Sequence, residues 1–235
     1  MADKLSLPRL LLTRPKPGSE RFLAALSARG LPIKDAVVSP AMKVVNTGDI
    51  VELPPNGAAI FTSRHAIPRA RAARGTPAYC VGEATADEAR RFGFSPITAG
   101  GTADDLLNML LRDPPTAPLV YCHGRHVRRE ILGPLRKAGI TVTGHVVYDQ
   151  PACKPTSAAQ SLLAGKETVL LPLFSPRTAE IVAHWVADAA APIQPILLSE
   201  GVALAWKTSS NVAAKPTMAA MVDAVAASYP IQGNG

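Results

Sequence analysis

Residues able to grip an anion recur where short apolar runs give way to longer amphipathic stretches. Thr13 and Arg14 follow RLLL, Thr62 and Ser63 follow AAIF, Gly82 follows AYCV, Gly124 and Arg125 follow LVYCH, and Ser175 follows TVLLPLF. In an open parallel sheet a ligand binds beyond the carboxyl ends of the strands, where helix N-termini present unpaired N–H groups and a positive dipole end. Glycine there admits the backbone to close range, a hydroxyl adds a donor, and arginine offers a fork that matches a carboxylate or phosphate. The same hydroxyls suit helix capping, and the two roles are compatible.

Other chemistries are poorly supplied. The run HGRHVRRE at 123–130 gathers His123, Arg125, His126, Arg128 and Arg129 at a strand-to-helix junction, an anion clamp or a solvated basic face. Its HxxH has no acidic or thiolate partner close in sequence, so no metal site is expected. GxGxxG and GxxxxGK[ST] are absent, which removes the dinucleotide fingerprint and the phosphate loop. There is no GxSxG elbow, Ser63 has His65 nearby without a suggestive acid, and Cys80 and Cys122 sit in apolar runs that keep thiols inert. Tyr148 stands out as a polar-tipped aromatic ending VVY, in a segment otherwise read as a linker.

The elements that must carry these residues follow from period. Apolar runs at 9–13, 58–63, 78–82, 118–124, 168–175 and 195–199 read as strands, and amphipathic stretches at 18–30, 64–74, 83–93, 103–112, 127–138, 177–190, 200–206 and 217–228 as helices. Gly30, Gly75, Gly93 and Gly139 stand where helices should end. Strand then helix, repeated, predicts an α/β fold with parallel sheets. Two segments, 34–45 and 141–153, instead carry alternating β-branched residues with Pro40 and Pro151, and are expected to be long, partly exposed strands that pair as a linker.

The chain also repeats internally. Ser63 lies 112 residues before Ser175, Arg14 lies 111 before Arg125, VGEATA at 81–86 aligns with LSEGVA at 198–203, and GTADDLLNML at 101–110 aligns with PTMAAMVDAV at 216–225. Matches in chain order at similar offsets predict two similar α/β halves.

Composition sets the outer limits. The 235 residues suit two small domains, and 47% hydrophobic with 18% charged residues disfavours disorder and coiled coil. A formal charge of +7 suits an acidic partner, while an aromatic content of 5% leaves little material for stacking on nucleic-acid bases. The three cysteines form no CxxC pair and fit a reducing compartment, and the three-leucine run near the N-terminus is too short for a signal peptide or a membrane span. The expected location is the cytoplasm, with no nucleic acid and no membrane as partner.

Taken in order, LLLTRP at 10–15, FTSRHA at 61–66, VGEATADEARRFG at 81–93, GRHVRREILGPLRKAGITV at 124–142, VVYDQ at 146–150 and LFSPRTAE at 173–180 resemble the uroporphyrinogen-III synthase family over nearly the whole chain. The resemblance implies two flavodoxin-like parallel-sheet domains joined by a two-stranded antiparallel ladder. Residues 1–36 with 154–235 would form one domain, 46–142 an inserted second, and 37–45 with 143–153 the ladder. It implies cyclisation of hydroxymethylbilane, a linear tetrapyrrole with eight carboxylates, to uroporphyrinogen III, with loss of water and inversion of ring D. This step of tetrapyrrole biosynthesis leads toward heme, chlorophyll or cobalamin, and the family uses neither metal nor organic cofactor; the chain is expected to act as a monomer. Tyr148 matches the family's cleft tyrosine and is the expected catalytic residue. Arg14, Thr62, Ser63, His65, Gly82, Thr85, Gly124, Arg125 and Ser175 are the expected substrate contacts. Two departures stand out: Ser199, Glu200, Gly201, Val202 and Ala203 replace the usual threonine-bearing turn, and His65 replaces an arginine or asparagine. The turn at 199–203 sustains a second reading, a non-catalytic two-domain binding protein or sensor for an anionic metabolite.

Overall fold

The computed structural model describes residues 7–229 apart from 32, 34, 128 and 208–210. The chain divides into two compact units, one built from the chain up to Lys43 together with the chain from Ala152 onward, the other from Val44–Pro151. The first unit opens with β1 (Arg9–Leu12), α1 (Lys16–Ala28) and β2 (Val37–Val38). The second holds β3 (Val45–Asn46), β4 (Val51–Glu52), β5 (Ala58–Phe61), a 3-10 turn at Arg64–Arg69, β6 (Ala70–Arg71), β7 (Pro77–Cys80) and α2 (Glu83–Arg91), then β8 (Ser95–Thr98), α3 (Ala103–Arg112), β9 (Leu119–Gly124), α4 (Leu132–Lys137) and β10 (Val142–Asp149). The chain returns to the first unit with α5 (Ser157–Leu163), β11 (Val169–Leu173), α6 (Pro176–Val186), β12 (Ile193–Leu197), α7 (Glu200–Trp206) and α8 (Met218–Ala227).

In the first unit the sheet order is β2-β1-β11-β12, with every pairing parallel and a further parallel bridge from Leu197 to Val212. Unbroken apolar runs make such strands, because both faces are covered by helices. Side chains alternate between the faces. Leu11, Leu171 and Leu173 pack with Ala159, Leu162 and Val182, whereas Leu10, Leu12 and Leu170 pack with Phe22, Leu26, Met221 and Val225.

The second unit's main sheet runs β3-β10-β9-β5-β7-β8, parallel except where β3 meets β10. One face buries Phe61, Cys80, Cys122 and Val147, the other Ile60, Leu106, Leu110, Tyr121 and Leu135. A small parallel pair, β4 with β6, lies apart from it.

The sequence repeat and the sheets agree in a crossed manner. In the first unit β2 and β1 precede β11 and β12 across the sheet; in the second, β10 and β9 precede β5 and β7 in the same way. Arg14 and Arg125 follow the β1 and β9 positions, while Ser63 and Ser175 follow the β5 and β11 positions. Each unit thus takes the opening strands of one sequence half and the later strands of the other.

Several expected elements need correction. The stretch 64–74 is a 3-10 turn followed by a short strand, because Pro68 inside it has no N–H to give a helix ladder. The helix expected over 127–138 begins only at Leu132: Pro134 is tolerated in a first turn and blocks extension upstream. Ser95–Thr98, to which period assigns no element, is the edge strand of its sheet, where Pro96 does no harm. The segments 34–45 and 141–153 are not a pair of long linker strands. Val37–Val38 runs parallel to β1, and β10 spends most of its length parallel to β9. Among the described residues, antiparallel pairing joins Val45 with Asp149, Asn46 with Tyr148 and, as a bridge, Met42 with Ala152.

Candidate active site

The second unit contains a cavity of about 770 Å³ at the carboxyl ends of its parallel strands. Thr62 and Ser63 follow β5, Val81 follows β7, Gly101 and Thr102 lie in the turn after β8 with Asp104 in the first turn of α3, β9 supplies Tyr121 and Gly124, the following loop supplies His126 and Arg129, β10 supplies Tyr148, and Gln150 follows it. A second cavity, about 280 Å³, lies in the first unit at the opposite strand ends and is lined by the ion-paired Arg9 and Glu167. Strand-end chemistry favours the larger one.

Tyr148 reaches the cavity through a local irregularity. The register of β10 against β9 shifts between Val146 and Tyr148, so that His123 faces Val146 and Gly124 faces Tyr148. A bulge of this kind re-aims a side chain, so that Val147 and Tyr148 both pack into the core on one face of the sheet, with the Tyr148 ring against Gly124 at the strand end. Only glycine allows it: a Cβ on Gly124 would lie 2.5 Å from the Tyr148 ring. Tyr148 is 6% exposed, lies edge-on to His65 with ring centroids 5.9 Å apart, and its backbone carbonyl accepts the Arg125 N–H at 2.9 Å. Tyr148 is thus buried rather than partly exposed, with Gly124 beside it in parallel register on one side and Asn46 antiparallel to it on the other.

The cavity wall is rich in hydroxyls. Ser63 Oγ accepts from the His65 N–H at 3.3 Å and so caps the 3-10 turn, while Thr62 Oγ1 lies 3.0 Å from the Tyr121 phenol oxygen. Thr102 caps α3 in a reciprocal box with Asp105. Gly101, at φ +110, folds that loop back so that its N–H donates to the Val81 carbonyl at 2.9 Å.

Two arginines beside the cavity are ion-paired. Arg129 Nε lies 2.8 Å from Asp104, and Arg125 Nε lies 2.9 Å from Asp149, which His126 also approaches at 3.7 Å. The Gln150 N–H, then Arg125, holds the Asp149 carboxyl below its ordinary range. Burial, reinforced by Arg64 and opposed by Glu88, pushes the His65 imidazole below its usual value, which favours the neutral ring.

Of the expected residues, Thr62, Ser63, Gly124 and Tyr148 line the cavity, and His65 touches Tyr148. Arg125 already holds a carboxylate of the chain itself, so an incoming anion must compete with Asp149. Gly82 and Thr85 stand at the N-terminus of α2, the latter buried, and neither lines the cavity. Arg14 and Ser175 belong to the first unit, after the adjacent strands β1 and β11. The Arg14 guanidinium lies 4.1 Å over the Phe174 ring, with burial and then Arg21 lowering its pKa. Ser175 Oγ accepts the Thr178 N–H at 3.2 Å and caps α6. In the atypical turn, Ser199 precedes α7 without a side-chain cap. Tyr121, Thr102 and Asp104 were not foreseen as site residues; Arg128 of the basic run lies outside the described residues.

Parallel strands ending in glycines, hydroxyls and paired arginines define an α/β protein with a polar cavity at the carboxyl ends of the strands of its second unit. The description "Uroporphyrinogen-III synthase HemD" belongs to a family model that matches residues 20–223, and the chain belongs to this family. Among solved structures it is similar to a uroporphyrinogen-III synthetase from Helicobacter pylori, at 17% identity with a TM-score of 0.68, covering 94% of this chain and 99% of that one. A mutant uroporphyrinogen III synthase from Thermus thermophilus matches at 11% identity with a TM-score of 0.50, over 94% and 98% of the two chains. These likenesses support the α/β fold with mixed parallel sheets. No curated protein matches. Among the described residues no helix is long and apolar enough to cross a membrane.

Proposed function

We propose that the protein closes hydroxymethylbilane to uroporphyrinogen III in tetrapyrrole biosynthesis, with the hydroxyl-lined cavity of the second unit as a principal part of the binding site. Family membership over residues 20–223 supports the reaction, and the Tyr148 phenol held over Gly124 in that cavity is the observation that carries the mechanism. The substrate's eight carboxylates suit Thr62, Ser63 and strand-end N–H groups, with Arg125 and Arg129 exchanging an internal carboxylate for one of the substrate. Arg14 and Ser175 would serve the same purpose on the first unit.

The chemistry is chiefly positional. Loss of the terminal hydroxyl as water leaves an electrophilic carbon, which must meet the substituted position of ring D rather than its free neighbour. Tyr148 assists by donating a hydrogen bond to the departing hydroxyl, a modest general-acid contribution. No metal or organic cofactor enters this scheme. The finer architecture we propose is two flavodoxin-like domains with boundaries near Lys43 and Pro151, joined by a short antiparallel ladder; the protein works as a cytoplasmic monomer without nucleic acid.

Tyr148→Phe tests the mechanism. Turnover is expected to fall about tenfold, with the type III isomer still the main product, because folding of the substrate does not depend on that hydroxyl. Wild-type turnover in this variant removes the phenol from the mechanism.

A further inference from the structure

Two hydroxyls of separate origin meet in the cavity, one on the expected contact Thr62 and one within the apolar strand β9. Thr62 Oγ1 and the Tyr121 phenol oxygen lie 3.0 Å apart, and both residues line the cavity. The Tyr121 ring is held fast: the residue is 2% exposed and stacks on His123 with centroids 4.5 Å apart. His123 is itself tied down, its Nδ1 lying 2.8 Å from the Gly124 carbonyl oxygen and donating to it. Burial raises the Tyr121 pKa, so the phenol keeps its proton throughout the neutral range.

The pair holds two hydroxyl hydrogens, and the bond between the oxygens uses one. Neither hydroxyl has another hydrogen-bond partner among the described residues, so the second hydrogen is available to an acceptor in the cavity. A phenol is the stronger acid and the better donor, which leaves Thr62 accepting from Tyr121 and donating outward. Accepting one bond polarises a hydroxyl and strengthens the bond it donates.

We propose that Tyr121 is a positioning residue that orients Thr62, the two forming a subsite that recognises one carboxylate of the substrate. The inference rests on the tetrapyrrole reading only for the owner of that carboxylate.

The test is a double-mutant cycle on Tyr121→Phe and Thr62→Val, with Thr62→Ser as the conservative control. KM and kcat are measured with hydroxymethylbilane, and dissociation constants with uroporphyrin III, the oxidised octacarboxylate, by fluorescence. Loss of one hydrogen bond to a charged group predicts a rise in KM and probe dissociation constant of about tenfold for Thr62→Val and about threefold for Tyr121→Phe. The double variant should stay near tenfold instead of reaching the product of the two, kcat should change less than KM, and Thr62→Ser should bind nearly as wild type. A Tyr121→Phe variant with unaltered KM and probe binding, or effects that simply multiply, overturns the subsite. A wild-type protein that forms no type III isomer while the probe constants shift as described overturns the reaction and leaves the subsite standing.

Discussion

Gly124 and Tyr148 show how closely one residue can depend on another. With a Cβ 2.5 Å from the phenol ring, Gly124→Ala must displace Tyr148 from its place over the strand end. We expect a loss of about 1–3 kcal/mol in stability and turnover no better than that of Tyr148→Phe, read by denaturant unfolding and by initial rates. Wild-type stability and rate together would contradict the packing described. His65 gives a pH prediction. Its folded pKa lies below the ordinary value of 6.5, so the unfolded chain binds the proton more readily. The contribution is complete above that value and is lost as pH falls through it toward the folded pKa. His65→Asn should therefore retain more of its neutral-pH Tm at pH ~5.5 than the wild type does; equal losses in the two proteins would contradict this. Tyr148 was legible in the sequence because a phenol ending a β-branched run is conspicuous. Tyr121 was not, because in PLVYCHG nothing marks its hydroxyl as finding Thr62, and that pairing depends on β9 lying beside β5. Arg125 was legible as a basic residue at a strand end, but its neutralisation by Asp149 depends on the turn at the end of β10.

At the scale of elements, caps decide where the cavity wall stands. Thr102→Ala removes one side of the capping box at the start of α3, and should lower stability by about 1 kcal/mol in chemical denaturation. A variant within a few tenths of wild type would show that α3 is held by packing alone. The buried strands were legible because apolar runs such as RLLL and TVLLPL admit few other fates in an α/β chain. Three of the departures, at 64–74, 95–98 and 127–138, share one cause, proline. Pro68 and Pro134 interrupt helical patterns that periodicity alone would continue, and Pro96 hides an edge strand from a reading by period. The linker strands were misjudged for another reason. Alternation signals a strand without naming its partner, and β10 pairs parallel to β9 along one edge while its end, Tyr148 and Asp149, pairs antiparallel with β3 along the other.

On the scale of the whole molecule, the sequence repeat and the two units are out of step. Pairs such as Arg14 with Arg125 and Ser63 with Ser175 are equivalent positions in two sheets that each draw strands from both halves of the sequence. The repeat was visible as spacing, whereas the exchange of strands became visible only in the sheet order. The charge of +7 also belongs to this scale, since it draws a polycarboxylate toward the protein. Shortening the Debye length from ~30 Å at 0.01 M salt to ~8 Å at 0.15 M should lower kcat/KM for the substrate, and a salt-independent value would remove the net charge from the account. The most direct measurement of the central claim is the isomer made from hydroxymethylbilane. Linear substrate left alone closes to the type I ring, so the purified protein should deliver predominantly type III, faster than the spontaneous reaction. If only type I forms, at the uncatalysed rate, the protein does not fold its substrate for ring inversion, and the account fails.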